Sequence, residues 1–159
     1  SSSTSPSRVG SRLGKWAVFV VKAISAAIIF ASALFAIFIV GPAVETRWFP
    51  VVSKLRVTKV LAGDEPGTTF VYAEFTKLRN CEYVGISWFR GVPDGEFERV
   101  PVILLRKDGD TSSPNRPLGV QKSGPWVVGV PPEELRQNSF ARLSHKCFPF
   151  WTSTTDFWP

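Results

Sequence analysis

The sequence predicts a mainly β protein in which one apolar helix precedes a compact domain of strands. Near the N-terminus, residues 23–40 form an uncharged run of eighteen residues. Short stretches rich in branched and aromatic residues follow it, separated by Gly, Pro, Asp and Asn. With 13% aromatic and 20% charged residues, the chain of 159 residues is too apolar for a disordered protein, and its length fits a single folded domain.

The uncharged run predicts a transmembrane helix over residues 16–42. Eighteen helical residues rise about 27 Å, which is close to the hydrocarbon thickness of a bilayer. Trp16 lies near one end of this run and Trp48 beyond the other, where amphipathic rings favour the membrane interface. Pro42 is expected to stop the helix, so residues 43–53 are predicted to form a linker.

The distribution of charge predicts how the helix is oriented. Residues 1–22 carry four basic side chains and no acidic one, whereas residues 43–159 have a net charge of only +2. Lys and Arg beside a span are retained on the cytoplasmic side. We therefore expect a flexible cytoplasmic tail over residues 1–15, a helix in the inner (cytoplasmic) membrane, and a C-terminal domain that is periplasmic or extracellular.

A cleaved signal peptide is the competing interpretation of the N-terminus. Gly41 and Ala43 supply small residues at a possible cleavage site before Val44. However, the apolar run is longer than the usual h-region of about 7 to 15 residues, and Pro42 lies inside that site. These two mismatches favour an uncleaved anchor.

Residues 54–159 are predicted to form a β-sandwich. In one stretch Val84, Ile86 and Trp88 alternate with smaller residues, which is the period of a half-buried strand. Turn formers separate the strands, for example at 93–95 and 107–110, and residues 131–136 could form one helical turn. Six strands at this spacing indicate an all-β sandwich or a small barrel, and we favour a sandwich of immunoglobulin-like architecture. We expect the strands at 54–61, 69–75, 82–89, 99–106, 125–130 and 140–147.

Cys81 and Cys147 are the only cysteines, and a disulfide between them is favoured over two free thiols. Both lie in the part of the chain expected to face an oxidising compartment. The bond would stabilise the domain by about 4 kcal/mol in the chain-entropy model. Trp88 follows Cys81 too closely for an antibody-type domain, so only the architecture is predicted to be immunoglobulin-like.

His145 is the only histidine, and it shares a strand face with Cys147. This pair could indicate a metal site or Cys-His chemistry. A metal site needs three or four ligands, and the sequence has no Cys-x-x-Cys motif, no second His and no Met. Phosphate-binding glycine loops and nucleophile-elbow motifs are also missing from the sequence. We therefore predict no catalytic residue, no cofactor and no metal, and a structural role for His145.

The alternative functions are a membrane-tethered hydrolase and a carbohydrate-binding module. The carboxylates of Asp94, Glu96 and Glu98 could serve a membrane-tethered envelope hydrolase that acts on peptidoglycan or glycan, although a solvated turn is the simpler interpretation. Exposed tryptophans would instead favour a carbohydrate-binding module, and the candidates are Trp126, Trp151 and Trp158.

The C-terminal segment is unusually aromatic. It either forms a last strand that closes the core or presents an exposed interaction surface. The candidate residues for that surface are Phe148, Phe150, Trp151, Phe157 and Trp158. The ending HKCFPFWTSTTDFWP and the short N-terminal anchor resemble small uncharacterised single-pass membrane-anchored proteins of bacteria or their phages.

The near-neutral charge of residues 43–159 argues against nucleic acid as a partner. The expected partners are the lipid bilayer and a membrane or envelope protein. The sequence therefore predicts a non-enzymatic, membrane-anchored interaction module, such as an accessory subunit or assembly factor of an envelope membrane complex.

Overall fold

The structure is a computed structural model, and it describes residues 9–106 and 113–159. Residues 1–8 of the predicted tail and the predicted turn at 107–110 lie outside the described residues. The chain divides into two compact units, Ser1–Gly41 and Pro42–Pro159, and the second unit contains all eight strands.

The first element is helix α1, Val9–Trp48, with 40 residues. It is longer than the predicted span at both ends. Residues 9–15 are helical where a flexible tail was expected, and they include Arg12, Leu13 and Lys15, which are good helix formers. The helix also continues through Pro42, because the residues that follow it are bonded into the β domain, as described below.

Helix α1 is exposed along most of its length, and its exposed side chains are mainly apolar. Within residues 9–106 and 113–159 it is the one helix that is long and apolar enough to cross a membrane, over Gly14–Trp48.

Two four-stranded antiparallel sheets form the second unit. The strands, in chain order, are β1 Arg56–Ala62, β2 Thr69–Lys77, β3 Glu82–Gly91, β4 Phe97–Val100, β5 Val102–Leu104, β6 Gly119–Val128, β7 Ser139–Phe148 and β8 Trp151–Phe157. The first sheet has the order β1-β2-β6-β5, and the second has the order β4-β3-β7-β8. The single helical turn expected near residue 131 is α2, Pro132–Leu135.

The predicted strand 99–106 is divided in two. Strand β4 belongs to one sheet and β5 to the other, and Pro101 lies between them. Proline has no N–H to donate to a ladder, so the chain changes sheets at this residue. The carbonyl of Pro101 instead accepts a hydrogen bond of 2.9 Å from the N–H of Gly129.

The core contains side chains from both sheets. Trp88 of β3 and Trp126 of β6 pack edge to face with ring centroids 6.4 Å apart. The Trp88 Nε1–H donates to Ser139 Oγ at 3.0 Å, and Ser139 Oγ donates to the carbonyl of Leu135 at 2.5 Å. Each polar atom of this buried chain therefore has a partner, and α2 is fixed against the second sheet.

Candidate functional site

Cys81 and Cys147 form a disulfide, the pair expected from the sequence. Cys81 immediately precedes β3, and Cys147 lies in β7, the strand paired with β3. The bond therefore links neighbouring strands of one sheet, whereas the disulfide of an antibody domain joins two sheets. Because Cys147 Sγ is bonded to Cys81, it cannot act with His145 as a thiolate nucleophile.

The end of α1 is bonded into the β domain through one buried carboxylate. Glu45 is 5% exposed, and its Oε1 accepts a hydrogen bond of 2.7 Å from the guanidinium of Arg79. Its Oε2 accepts one bond of 2.8 Å from Trp151 Nε1 and another from Ser153 Oγ. Arg79 also donates to the carbonyl of Phe49 at 2.9 Å. The last turns of α1 thus belong structurally to the β domain.

The five aromatic residues proposed as an interaction surface occupy different environments. Phe157 is 3% exposed and belongs to the core, so the C-terminal segment does supply the last strand, β8. Trp151 is half-buried beside Glu45, and its ring packs against Phe148 with centroids 5.0 Å apart. Phe150 and Trp158 are mainly exposed, whereas Phe148 is 44% exposed.

The outer edge of β8, which we call the β8 edge, lies beside the end of α1. A groove of about 490 Å³ runs along it, lined by Pro42, Ala43, Thr46, Arg47, Thr152 and Thr154. Thr152 and Thr154 are exposed on β8. In the part of the chain that the structure describes, β7 is the one strand that pairs with β8.

A cavity of about 130 Å³, the inter-sheet cavity, lies among side chains of both sheets. Strand β2 contributes Lys77 to its wall, β3 contributes Tyr83, and β7 contributes His145. The other lining residues are mainly apolar or cationic: Phe75, Ile86, Leu104, Arg106, Pro114, Arg116, Ser123, Trp126 and Leu143.

His145 is buried in this cavity wall, with 3% of its surface exposed. Its Nδ1 is buried and has no hydrogen-bond partner, and its ring packs edge to face on Tyr83 at 5.9 Å. Burial, together with the positive charge of Lys77, lowers the pKa of His145 to about 4. The imidazole is therefore neutral at pH 7.

Lys77 is also buried, with 3% exposed, and its Nζ donates a hydrogen bond of 3.0 Å to the carbonyl of Cys81. Burial lowers the pKa of Lys77, and it raises the pKa of the Tyr83 hydroxyl. Sequence reasoning did not identify Lys77, although a signal was present. Val71, Ala73 and Phe75 alternate on the same face of β2, so Lys77 continues a core-facing series with a charge.

The carboxylates considered for a hydrolase are not among the residues that line the inter-sheet cavity. Asp94 and Glu96 are exposed near the β3–β4 turn, and Glu98 on β4 pairs with Arg90 at 3.1 Å. Glu96 and Glu98 border a shallow, open depression of the surface. Trp126, considered as an exposed sugar-stacking ring, is instead 4% exposed because it packs against Trp88 in the core.

Across residues 9–106 and 113–159, no group of three or more His, Cys, Asp or Glu side chains could hold a metal ion. Comparison of the chain with protein-family models, with curated proteins and with solved structures found no match.

Proposed function

We propose that this protein is a single-pass inner-membrane protein whose β domain is a non-enzymatic interaction module, an accessory subunit or assembly factor of an envelope membrane complex. Helix α1 crosses the bilayer with its N-terminus in the cytoplasm, and the β domain is periplasmic or extracellular. The apolar length of α1 and the basic residues before it support this topology. The Cys81–Cys147 disulfide supports an oxidising location for the domain.

The proposal includes an immunoglobulin-like architecture for the β domain. In chain order the eight strands can be lettered A, B, C, C′, D, E, F and G. The two sheets then read A-B-E-D and C′-C-F-G, and these orders support the assignment because immunoglobulin sandwiches are built in this way. The buried Trp88 on the third strand, at the position of the core tryptophan of such domains, also supports it.

The main support for the interaction role is that the β8 edge lacks the features that protect the other three sheet edges from pairing. Strands β4 and β5 have only four and three residues. Strand β1 carries Arg56 and Lys59, and the extra residue at its register shift lies on β1 itself. The pairing of β7 with β8 also has a register shift, but there the extra residue lies on β7. Short edges, bulges and basic side chains prevent edge-to-edge pairing. Strand β8 has seven residues, WTSTTDF, with no proline and no basic residue.

An extended segment of a membrane partner can therefore add to β8 as a further strand. The only charged residue of β8, Asp156, is neutralised by Arg142, whose Nε donates to it at 2.7 Å. The groove beside β8 is formed partly by Pro42 and Thr46 of α1, which places it within a few residues of the proposed membrane span. We propose that the partner segment comes from the juxtamembrane part of another membrane protein, because both proteins are confined to the same surface.

A photocrosslinking experiment in native membranes tests this proposal. A photoreactive phenylalanine analogue replaces Thr154 on β8 and, as the matched control, Lys122 on the other sheet. We expect Thr154 to crosslink to an extended juxtamembrane peptide of one membrane protein, identified by mass spectrometry, and Lys122 to give no such product. With the analogue at position 154, the added substitution Thr152→Lys on β8 should abolish the product, whereas Thr58→Lys on β1 should retain it.

Protease treatment of vesicles of known orientation tests the topology. We expect digestion of the β domain from the extracytoplasmic side only. Digestion from the cytoplasmic side, or a soluble β domain that lacks α1 before any protease is added, would show that the anchored topology is wrong. Equal crosslinking from Thr154 and Lys122 would remove the β8 edge as the docking site.

A further inference from the structure

The inter-sheet cavity has a composition that the proposed interaction role does not require. One part of its wall is apolar and largely aromatic, with Phe75, Trp126 and Leu143 as its main contributors. Binding sites for small molecules have this character, with an apolar wall and a few convergent polar groups. The volume of about 130 Å³ is close to that of an engineered cavity of about 150 Å³ in another protein, which binds benzene.

The charged groups that line the cavity, among the described residues, are cationic. Lys77, Arg106 and Arg116 all line it, and within the described residues no Asp or Glu does. Arg106 is exposed and Arg116 half-buried, so these two lie toward solvent, whereas Lys77 is buried. The hydrogen bond from Lys77 to the carbonyl of Cys81 uses one of the three N–H donors of an ammonium group.

The buried Nδ1 of His145 is a second, independent sign of a ligand. A buried polar atom without a partner is costly, and such atoms are rare in folded proteins. This atom lies in a residue that lines the cavity. A neutral imidazole can present an Nδ1–H to an acceptor oxygen, so a ligand oxygen that reaches this atom after a small movement of the ring would satisfy it.

We propose that the inter-sheet cavity binds a small aromatic carboxylate, with one ring between the apolar walls and the carboxylate facing Lys77 and His145. The ring fits the volume and the aromatic lining, and the carboxylate supplies a negative charge that none of the described lining residues supplies. This site is separate from the β8 edge, so the proposal stands or fails independently of the partner proposed above.

Because His145 is the only histidine, it gives an unambiguous spectroscopic probe of the cavity. The full chain is labelled with ¹³C at histidine Cε1, placed in lipid nanodiscs, and titrated with phenylacetate. We expect a saturable shift of the single ring signal with a Kd of about 1 mM, the affinity typical of a ligand of this size. Bound carboxylate should also raise the pH at which the His145 signal titrates.

Two matched probes separate charge from hydrophobicity. Benzylammonium carries the opposite charge on a similar ring, and we expect it to give no saturable shift. Benzyl alcohol is neutral and should bind at least about tenfold more weakly than phenylacetate. Nanodiscs without protein correct for partition of each probe into lipid. An equal response to phenylacetate and benzylammonium would overturn the proposal.

Variants test the named cations. Arg116→Gln should weaken phenylacetate binding by about fivefold to tenfold, and Lys77→Met should weaken it further. Arg136→Gln changes an exposed arginine outside the cavity and should leave the Kd unchanged. If Lys77→Met does not fold, the comparison of phenylacetate with benzylammonium decides. Binding by a folded Lys77→Met variant equal to that of the parent chain, or no saturable shift up to about 20 mM phenylacetate, would show that the cavity is not an anion site.

Discussion

The indole Nε1 of Trp151 donates a hydrogen bond of 2.8 Å to Oε2 of Glu45, a residue 106 positions earlier in the chain. The bond connects β8 with the last turns of α1. Arg79 and Ser153 donate to the same carboxylate, which is buried. A single acidic side chain therefore fixes the end of the helix to two different parts of the β domain.

Replacing Glu45 should destabilise the β domain. Glu45→Ala removes both carboxylate oxygens and leaves the donors of Arg79, Trp151 and Ser153 without this acceptor group. We therefore expect the free energy of unfolding to fall by about 2 to 4 kcal/mol. Urea titration of the full chain in nanodiscs, followed by tryptophan fluorescence, measures this loss. Glu65→Ala removes an exposed carboxylate and should change the free energy by less than about 0.5 kcal/mol. Similar values for the two variants would contradict a structural role for the Glu45 contacts.

Local signals in the sequence were sufficient to predict most of the strands. Branched and aromatic runs bounded by turn residues gave the positions of β2, β3 and β7, and the Cys pair was predictable from count and location. The ends of α1 and the division at Pro101 were not predictable in this way. Tertiary contacts decide the structure at both prolines. After Pro42 the helix continues to Glu45, which is bonded to Arg79, and after Pro101 the chain enters the other sheet as β5.

The cavity could not be predicted from local patterns, because its wall combines residues from five strands. Lys77 was visible as a charge on the apolar face of β2, but nothing in the sequence placed it near His145. The same holds for the aromatic C-terminal segment. Its composition left both burial and exposure open, with closure of the core favoured, and pairing with β7 buries Phe157 while Trp158, the next residue, stays exposed.

Removing the disulfide should lower stability without changing the fold. The double variant Cys81→Ala/Cys147→Ala releases a constraint across 66 residues, so we expect its free energy of unfolding to fall by about 2 to 4 kcal/mol. Urea titration with and without a reductant measures the effect. Reductant should destabilise the parent chain by a similar amount and leave the double variant unchanged. A reductant effect of equal size in both proteins would mean that the bond is not its source.

His145 should make stability depend on pH. Its pKa falls from 6.5 to about 4 in the folded protein, so the unfolded chain binds the proton more readily. Stability should therefore be highest above about pH 6.5, fall by about 3 kcal/mol as the pH drops to about 4, and change no further through this residue. His145→Gln lacks this titration. The stability difference between parent and variant, measured at pH 7.5 and pH 4, isolates the effect from the carboxylates, and an unchanged difference would contradict it.

Gly124 should tolerate no side chain. Its φ of +112° is disfavoured for other residues, and a Cβ there would lie 2.6 Å from the carbonyl oxygen of Val71 on β2. The shift in register between β2 and β6 occurs beside this contact, after Val71. We expect Gly124→Ala to destabilise the domain by about 2 to 4 kcal/mol, because the backbone strain and the clash add. Gly85→Ala is the matched control, since Gly85 is in strand β3 with nothing within 4 Å of its Cβ position. Urea titration of both variants decides, and equal stabilities would show that the close approach of β2 and β6 is not a constraint.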